Sequence, residues 1–187
     1  MIVLSNHTPA SELKEDFCSL KTLDQSTLST RSYSEEELVR FIKTTLLGLS
    51  GYYPLFDNWL ESKVIPGLLI GERKIVLEHH RGQFAGLAIV KDDGLEQKLC
   101  CLRVLPKYQG TGSGLKLFER SFEILQNQAP LLSIAEEQAD TFRKIFNYYG
   151  FELAKKYHNY YRPLKDELSF NGLIDNNYRP PAARRNR

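Results

Sequence analysis

The stretch Leu102–Phe122, "LRVLPKYQGTGSGLKLFERSF", changes character twice. It begins as an apolar run typical of a strand, breaks at Pro106, and continues after Gly114 with the spacing of an amphipathic helix. Gly110, Gly112 and Gly114 lie between the two elements, where the lack of Cβ atoms lets another molecule approach the backbone. The helix that follows would direct free N–H groups and the positive end of its dipole to the same place. This arrangement favours a bound phosphate group.

Two familiar phosphate-binding loops do not fit these glycines. The chain contains no GxxxxGK[ST] sequence, which excludes a P-loop. The dinucleotide pattern GxGxxG would need a glycine at position 115, where the chain has Leu115. The segment also follows predicted hairpins instead of opening a βαβ unit, so a Rossmann fingerprint is disfavoured. A loop that is rich in glycine only in order to turn is the remaining alternative from this segment alone.

The composition excludes several other classes of protein. The 187 residues are 42% hydrophobic and 26% charged, with a formal net charge of +2, as in an ordinary globular domain without a global affinity for nucleic acid. Three cysteines without CxxC spacing, Cys18, Cys100 and Cys101, indicate neither a disulfide framework nor a zinc site. No signal peptide is recognisable, and no apolar run approaches the ~18 residues of a membrane span. We therefore expect a cytoplasmic protein that binds no metal.

The hydrophobic periodicity predicts a mixed α/β order without internal repeats. Ser34 and Glu37 form a capping box at the start of the first clear helix. The predicted helices and strands follow in the order helix 34–49, helix 53–67, strands 74–80, 83–90 and 98–105, helix 113–127, strand 131–135, helix 136–150 and a hairpin over 151–174. In helix 113–127, the residues Leu115, Phe118, Phe122 and Leu125 are expected to face the core.

We predict a single domain over residues 1–174, in which residues 1–32 are polar and only weakly periodic. Residues 175–187 are basic and rich in proline, and this composition predicts a disordered tail. Arginines in the tail could contact RNA phosphates, but a solvated chain end is the favoured interpretation.

Two segments together resemble a known family. The pattern VLPKYQGTGSG, residues 104–114, followed by an amphipathic helix, resembles motif A of the GCN5-related N-acetyltransferases, the GNAT family, whose signature is [Q/R]xxGx[G/A] after a strand. Downstream, "IFNYYGFEL", residues 145–153, resembles the helix-to-strand junction of the same family. The order of the predicted elements agrees as well, and the resemblance covers roughly residues 30–173.

The resemblance implies a GNAT-like α/β fold with a mixed sheet of six or seven strands and helices on both faces. Two central parallel strands, here 98–105 and 131–135, would splay apart and hold acetyl-CoA, the co-substrate of the family. By the match, the backbone of Leu102 and Val104 would bind the pantetheine arm. The pyrophosphate would be bound by the backbone N–H groups of Gln109, Gly110, Thr111, Gly112, Ser113 and Gly114.

The catalytic residues depart from the family pattern. Family members often place a tyrosine four residues before the glycine of the junction, where this chain has Phe146, and Tyr149 is therefore predicted to be the general acid. Some members carry a glutamate base at the position of Lys98, and Glu136 is predicted to be the base instead. Both assignments have structural alternatives, because Tyr149 could be a core aromatic and Glu136 a first-turn acid that favours the helix dipole.

The resemblance implies transfer of an acetyl group to a primary amine by direct attack on the thioester. The amine could belong to a protein, a small molecule or an aminoacyl-tRNA, and the sequence does not distinguish among them. A non-catalytic acyl-CoA-binding module is the alternative function, since the family tyrosine is missing. RNA is a disfavoured partner, no membrane partner is expected, and a homodimer is left open.

Overall fold

The computed structural model describes residue 17 and residues 20–30 and 34–174. The predicted disorder of residues 175–187 and the location of Cys18 therefore lie outside the described residues. Within the described ranges, no helix combines the length and the apolar character needed to cross a bilayer.

Seven strands are described, and they form two antiparallel groups. The strands are β1 (Thr22–Leu23), β2 (Arg73–His80), β3 (Gln83–Asp92), β4 (Gln97–Val104), β5 (Leu132–Ala135), β6 (Leu153–His158) and β7 (Asp166–Phe170). The first group has the order β1-β2-β3-β4 and the second has the order β5-β7-β6, and the two groups meet at β4 and β5. Strands predicted at 74–80, 83–90, 98–105 and 131–135 are confirmed to within two residues at each end.

Helices cover the sheet and follow the predicted order. They are α1 (Gln25–Thr30), α2 (Glu35–Thr45), α3 (Phe56–Trp59), a π-helical segment (Leu60–Val64), α4 (Ile65–Leu69), α5 (Ser113–Leu125) and α6 (Ala139–Tyr149). The capping box is confirmed, since Ser34 Oγ accepts from the Glu37 N–H and the Glu37 carboxylate accepts from the Ser34 N–H. A π-helical segment precedes Pro66, which has no N–H to continue an α-helical ladder.

One inward position in α5 was predicted wrongly. Leu115 is 40% exposed, whereas Leu117 is fully buried beside Phe118. Leu115 stands in the first turn of α5, and its side chain lines a cavity at the glycine loop instead of joining the core.

The central parallel strands β4 and β5 meet only where they begin. The Leu99 N–H donates to the Leu131 carbonyl at 2.9 Å, and the Leu131 N–H donates to the Gln97 carbonyl at 3.1 Å. Lys98 and Leu131 form the one parallel bridge between the two groups of strands in the described residues. Beyond it the strands separate, which confirms the predicted GNAT-like fold with a splay between two central strands.

A β-bulge lies on β4 at the start of this separation. Ile89 of β3 is opposite Cys101, and Val90 is opposite Leu99, so Cys100 is an extra residue on β4. A bulge bends its strand and increases the local twist. The bend lies directly after the bridge to β5, where the two strands begin to diverge. The apolar character of the sequence "LCCL" did not indicate this bulge.

Candidate active site

The glycine loop joins β4 to α5 and has a backbone that requires glycine. Gly110 has φ 75° and Gly112 has φ 85°, both in the left-handed region that side chains with a Cβ rarely adopt. Gly112 is the N-cap of α5, and no side chain caps the helix there. The first-turn N–H groups of α5 are thus left for a ligand, and an anion is the chemical group that suits them.

Hydrogen bonds hold this loop against the sheet. Thr111 Oγ1 donates to the Tyr108 carbonyl at 2.6 Å and lies 3.0 Å from Ser113 Oγ. The Tyr108 hydroxyl donates to Gln83 Oε1 at 2.7 Å, which links the loop to the start of β3. These bonds fix the conformation of the loop, in which the N–H groups of Gln109 and Thr111 already donate to the Pro106 and Tyr108 carbonyls at 3.3 Å.

A cavity of about 190 Å³, which we call the loop cavity, opens between this loop, β4, α5 and α6. Its lining includes five of the eight predicted coenzyme-binding residues, namely Leu102, Val104, Gln109, Gly110 and Gly114. The other three, Thr111, Gly112 and Ser113, belong to the same loop but do not line the cavity. The structure therefore brings the predicted loop and the open edge of β4 to one place, as a ligand that contacts both would require.

A second cavity of about 180 Å³, which we call the aromatic cavity, lies at the beginning of the gap between β4 and β5. Cys100 of β4 and Ser133 of β5 both line it, so it reaches both strands that border the gap. Its apolar wall is mainly aromatic and is formed by Tyr53, Phe56, Trp59 and Tyr161.

The alternation of side chains along β7 shows which face of the sheet each cavity occupies. The Phe170 ring packs against Phe146 of α6 at a centroid distance of 4.6 Å. Glu167 is three residues earlier and so points to the opposite face, where its carboxylate meets Tyr53. The loop cavity lies on the α6 face and the aromatic cavity lies on the Tyr53 face. The gap between β4 and β5 can therefore be reached from both faces.

A buried carboxylic acid stands beside the aromatic cavity. Glu167 is only 3% exposed, and the Tyr53 hydroxyl donates to Glu167 Oε1 over a long 3.4 Å. Burial raises the pKa of Glu167 to about 7, and it raises the pKa of Tyr53 well above its ordinary value. A carboxyl group with a pKa near neutrality can exchange a proton at physiological pH, as a general base must.

Neither of the two predicted catalytic side chains lines either cavity. The Tyr149 hydroxyl donates to Glu119 Oε1 at 3.4 Å, and burial raises the Tyr149 pKa to about 12. Glu136 forms an ion pair with Lys156 at 2.7 Å, and its side chain is 48% exposed. The structure thus does not bring these residues together with the coenzyme loop, and both roles remain sequence-based predictions.

The position of the family tyrosine is part of the hydrophobic core. Phe146 is 4% exposed and stacks on Phe142 at 5.7 Å and on Phe151 at 5.2 Å.

Sequence reasoning missed the pair Glu167 and Tyr53. In "ELSF", Glu167 and Ser169 alternate with Leu168 and Phe170, and such alternation ordinarily indicates that the polar side chains face solvent. Only the contact with Tyr53, 114 positions away, shows that this face is covered.

Solved structures of other proteins share this architecture. A GNAT-family protein from Desulfovibrio desulfuricans is 15% identical and superposes with a TM-score of 0.56 over 75% of this chain and 93% of its own. Ard1 from Thermoplasma volcanium is also 15% identical, with a TM-score of 0.52 over 75% of this chain and 93% of its own. At this level of identity the likeness shows the fold alone. No curated protein matches the chain.

The family itself is shown by sequence. The family model described as "Acetyltransferase (GNAT) domain" matches residues 56–159, which include the glycine loop, both strands that border the gap, and helix α6. The match thus covers more than half of the chain and the whole region in which the loop cavity is formed. The chain belongs to the GNAT family and is an acetyltransferase.

Proposed function

We propose that the chain transfers the acetyl group of acetyl-CoA to a primary amine that enters through the aromatic cavity. The observation that carries the proposal is the gap between β4 and β5, which has a cavity on each face. Two substrates that approach from opposite faces can meet in such a gap without competing for space. Holding two reactants in this way removes much of the entropic barrier to a bimolecular reaction.

The residues of the loop cavity fit acetyl-CoA. The uncapped N–H groups at the start of α5 suit its pyrophosphate, because Gly110 and Gly112 place no side chain above them. The backbone of β4 at Leu102 and Val104 borders the gap, and no strand within the described part of the chain pairs with it on that side. That edge can bind the amide groups of the pantetheine arm as a further strand would.

The side chains on the other face fit the removal of a proton from the amine. The acceptor ammonium group gives up a proton, and its nitrogen attacks the thioester carbonyl as the C–N bond forms. The C–S bond then breaks, and the products are the amide, the CoA thiol and one released proton. We assign proton removal to Glu167, acting through the Tyr53 hydroxyl, because Tyr53 both lines the aromatic cavity and contacts that carboxylate.

The proton for the departing thiolate has two candidate sources. Tyr149 is the sequence-based candidate, although its hydroxyl is directed at Glu119 in the structure. Water is the alternative, since Phe146 supplies no hydroxyl at the position where relatives carry one. We assign polarisation of the thioester carbonyl to the backbone N–H groups of β4 near Leu102, as the family resemblance implies.

The proposal is tested with the full chain, acetyl-CoA and pooled primary amines. Calorimetry measures acetyl-CoA binding, and a thiol reagent with mass spectrometry measures CoA release and the acetylated product. We expect binding without added metal and amine-dependent release of CoA. Tight binding of acetyl-CoA with no acetylated amine in any pool would contradict the proposal and favour the non-catalytic acyl-CoA-binding module.

A further inference from the structure

We propose that the acceptor amine carries a carboxylate, which Arg73 and Lys98 bind inside the aromatic cavity. This inference rests on the proposed function and specifies its substrate class. The inference follows from the charged side chains that line the aromatic cavity, which neither acetyl transfer nor packing of the core requires. Three cationic side chains line this cavity, Arg73, Lys91 and Lys98, against the single carboxylate of Glu96.

Arg73 is a buried cation without an anionic partner among the described residues. Arg73 is the first residue of β2 and is only 9% exposed. Nε donates to the Lys63 carbonyl at 3.0 Å, and Nη1 donates to Cys100 Sγ at 3.2 Å. Neither acceptor is a carboxylate. A guanidinium group has five N–H donors, so these two bonds leave donors for a ligand.

The surroundings of Arg73 are built to hold this side chain in place. The guanidinium lies over the ring of Trp59 at 5.8 Å from its centroid. A Cβ atom at Gly67 would stand 2.8 Å from Arg73 Cδ and 2.9 Å from Cγ, so the glycine makes room for the aliphatic stem. The charge is thus presented to the cavity in a fixed position, as preorganised recognition requires.

The two lysines of the cavity differ from each other in whether they form ion pairs. Lys91 is neutralised, because its ammonium lies 2.6 Å from Asp93 and 3.0 Å from Glu96. Lys98, a half-buried residue of β4, forms no ion pair with any carboxylate of the described residues, although its charge acts from a longer distance on Glu167 and favours the ionised form of that carboxyl group. The positive charge that no ion pair compensates therefore belongs to Arg73 and Lys98, and the guanidinium of Arg73 reaches Cys100 on the same strand as Lys98.

A carboxylate is the group that this arrangement suits. A buried charge is costly unless it is paired, so an anion that enters the cavity removes a penalty that the free protein carries. The planar fork of arginine matches a carboxylate in a bidentate manner. Phe56, Trp59 and Tyr161 supply an apolar wall for the carbon chain, and Tyr53 stands beside them for the amine. The acceptor class is an amino acid whose amine and carboxylate are separated by a short carbon chain.

The test compares acids with amines that lack the acid. The probes are the ω-amino acids from glycine to 6-aminohexanoate, each matched with the n-alkylamine of the same carbon number. L-Tyrosine and tyramine form an aromatic pair. We expect kcat/KM for the best amino acid to exceed that of its matched amine by about tenfold to a hundredfold, as hydrogen bonds to charged groups give. Equal values across every pair would overturn the inference.

Variants connect the preference to the named residues. Arg73→Gln and Lys98→Gln should each reduce the acid-to-amine ratio of kcat/KM about tenfold or more, mainly through KM. Lys91→Gln is the matched control, since it removes the same charge from the same cavity but from a lysine that is already paired. If Arg73→Gln does not fold, Lys98→Gln decides alone. A ratio that is unchanged in Lys98→Gln, or reduced equally in Lys91→Gln, would contradict the inference.

A binding measurement separates this inference from the proposed function. Trp59 is the only tryptophan in the chain and lies under Arg73, so its fluorescence reports on the cavity. Titration with 6-aminohexanoate should change the emission at lower concentration than hexylamine does, and Lys98→Gln should remove the difference. Acetylation of alkylamines and amino acids alike would leave the proposed function standing and reject the carboxylate. A failure to acetylate any amine, with the fluorescence preference intact, would reject the function and retain the site.

Discussion

The two faces of the gap between β4 and β5 differ in which groups of the protein would bind and react with a substrate. On the face of the loop cavity, the binding groups belong to the backbone. The glycines contribute by having no side chain, and the other side chains of the loop mainly hold it in place. On the face of the aromatic cavity, the groups are side chains from four separate parts of the chain, including Tyr53, Arg73, Lys98 and Glu167. A backbone site can be recognised from one short segment, whereas a side-chain site exists only after folding. Changes on the two faces should therefore have separable effects.

The largest expected effect is on the backbone face. Gly112→Asp should abolish CoA binding, because it places a Cβ at φ 85° and a carboxylate beside the predicted pyrophosphate position. Calorimetry with CoA is the measurement. Gly94→Asp is the matched control, since Gly94 has φ 78° in a hairpin turn and, like Gly112, has no atom within 4 Å of the place that a Cβ would occupy. Unchanged CoA affinity in folded Gly112→Asp would remove the loop from the site.

The second effect concerns the base on the side-chain face. Glu167→Gln should lower kcat by about a hundredfold or more, as the loss of a positioned base does, while CoA affinity stays near that of the parent. The parent rate should rise with pH up to about 7 and then level, because only the ionised form of Glu167 accepts a proton. The variant should lose this rise.

Glu136→Gln is the comparison for this second effect. Its carboxylate is paired with Lys156 and partly exposed, and so it should keep both the parent rate and the rise with pH. A large loss of rate in Glu136→Gln, with Glu167→Gln near the parent, would return the role of base to the residue predicted from sequence.

The same carboxyl group should be visible in stability. An unfolded glutamate ionises near pH ~4.3, whereas burial raises the pKa of Glu167 to about 7 in the folded protein. The folded state binds the extra proton between these values, so the free energy of unfolding should fall as the pH rises through this window. Relative to the parent, Glu167→Gln should gain about 3 kcal/mol on going from pH 4 to pH 8. Urea unfolding at the two pH values measures the difference, and a parallel response of parent and variant would show that folding does not raise the pKa of Glu167.

Local patterns were enough to predict most of the fold. The capping box at Ser34 and the strands predicted between residues 74 and 105 depend on neighbours in sequence, and each appears where it was predicted to within two residues. The gap between β4 and β5 was predicted through the family resemblance and not from periodicity. The bulge at Cys100 was missed, because an extra residue in an apolar run leaves the run apolar.

The residues of the candidate site also differ in whether they could be predicted from sequence. Five of the coenzyme-binding residues predicted through the family resemblance line the loop cavity, because they belong to one continuous segment that joins β4 to α5. Glu167 was missed, because its burial depends on the distant Tyr53. Tyr149 was chosen from helical spacing, which gave its face on α6 but not the direction of its hydroxyl toward Glu119.

The smallest expected effect is that of Tyr149→Phe. The change removes one oxygen from a hydrogen bond with Glu119 outside both cavities, so kcat should stay within about twofold of the parent. Steady-state kinetics under saturating acetyl-CoA measures it. A general acid is typically worth at least about a hundredfold, and a loss of that order would restore Tyr149 as the proton donor and require its hydroxyl to turn toward the gap.

A crystal structure with a bisubstrate compound, in which the CoA sulfur is joined through an acetyl link to the nitrogen of 6-aminohexanoate, tests the central claim most directly. We expect the pyrophosphate at the N–H groups of residues 109–114 and the sulfur in the gap between β4 and β5. The nitrogen should lie on the Tyr53 side, with the carboxylate at Arg73 and Lys98. A structure in which the acceptor half folds back into the loop cavity, or in which β4 and β5 pair along their length and close the gap, would contradict the account.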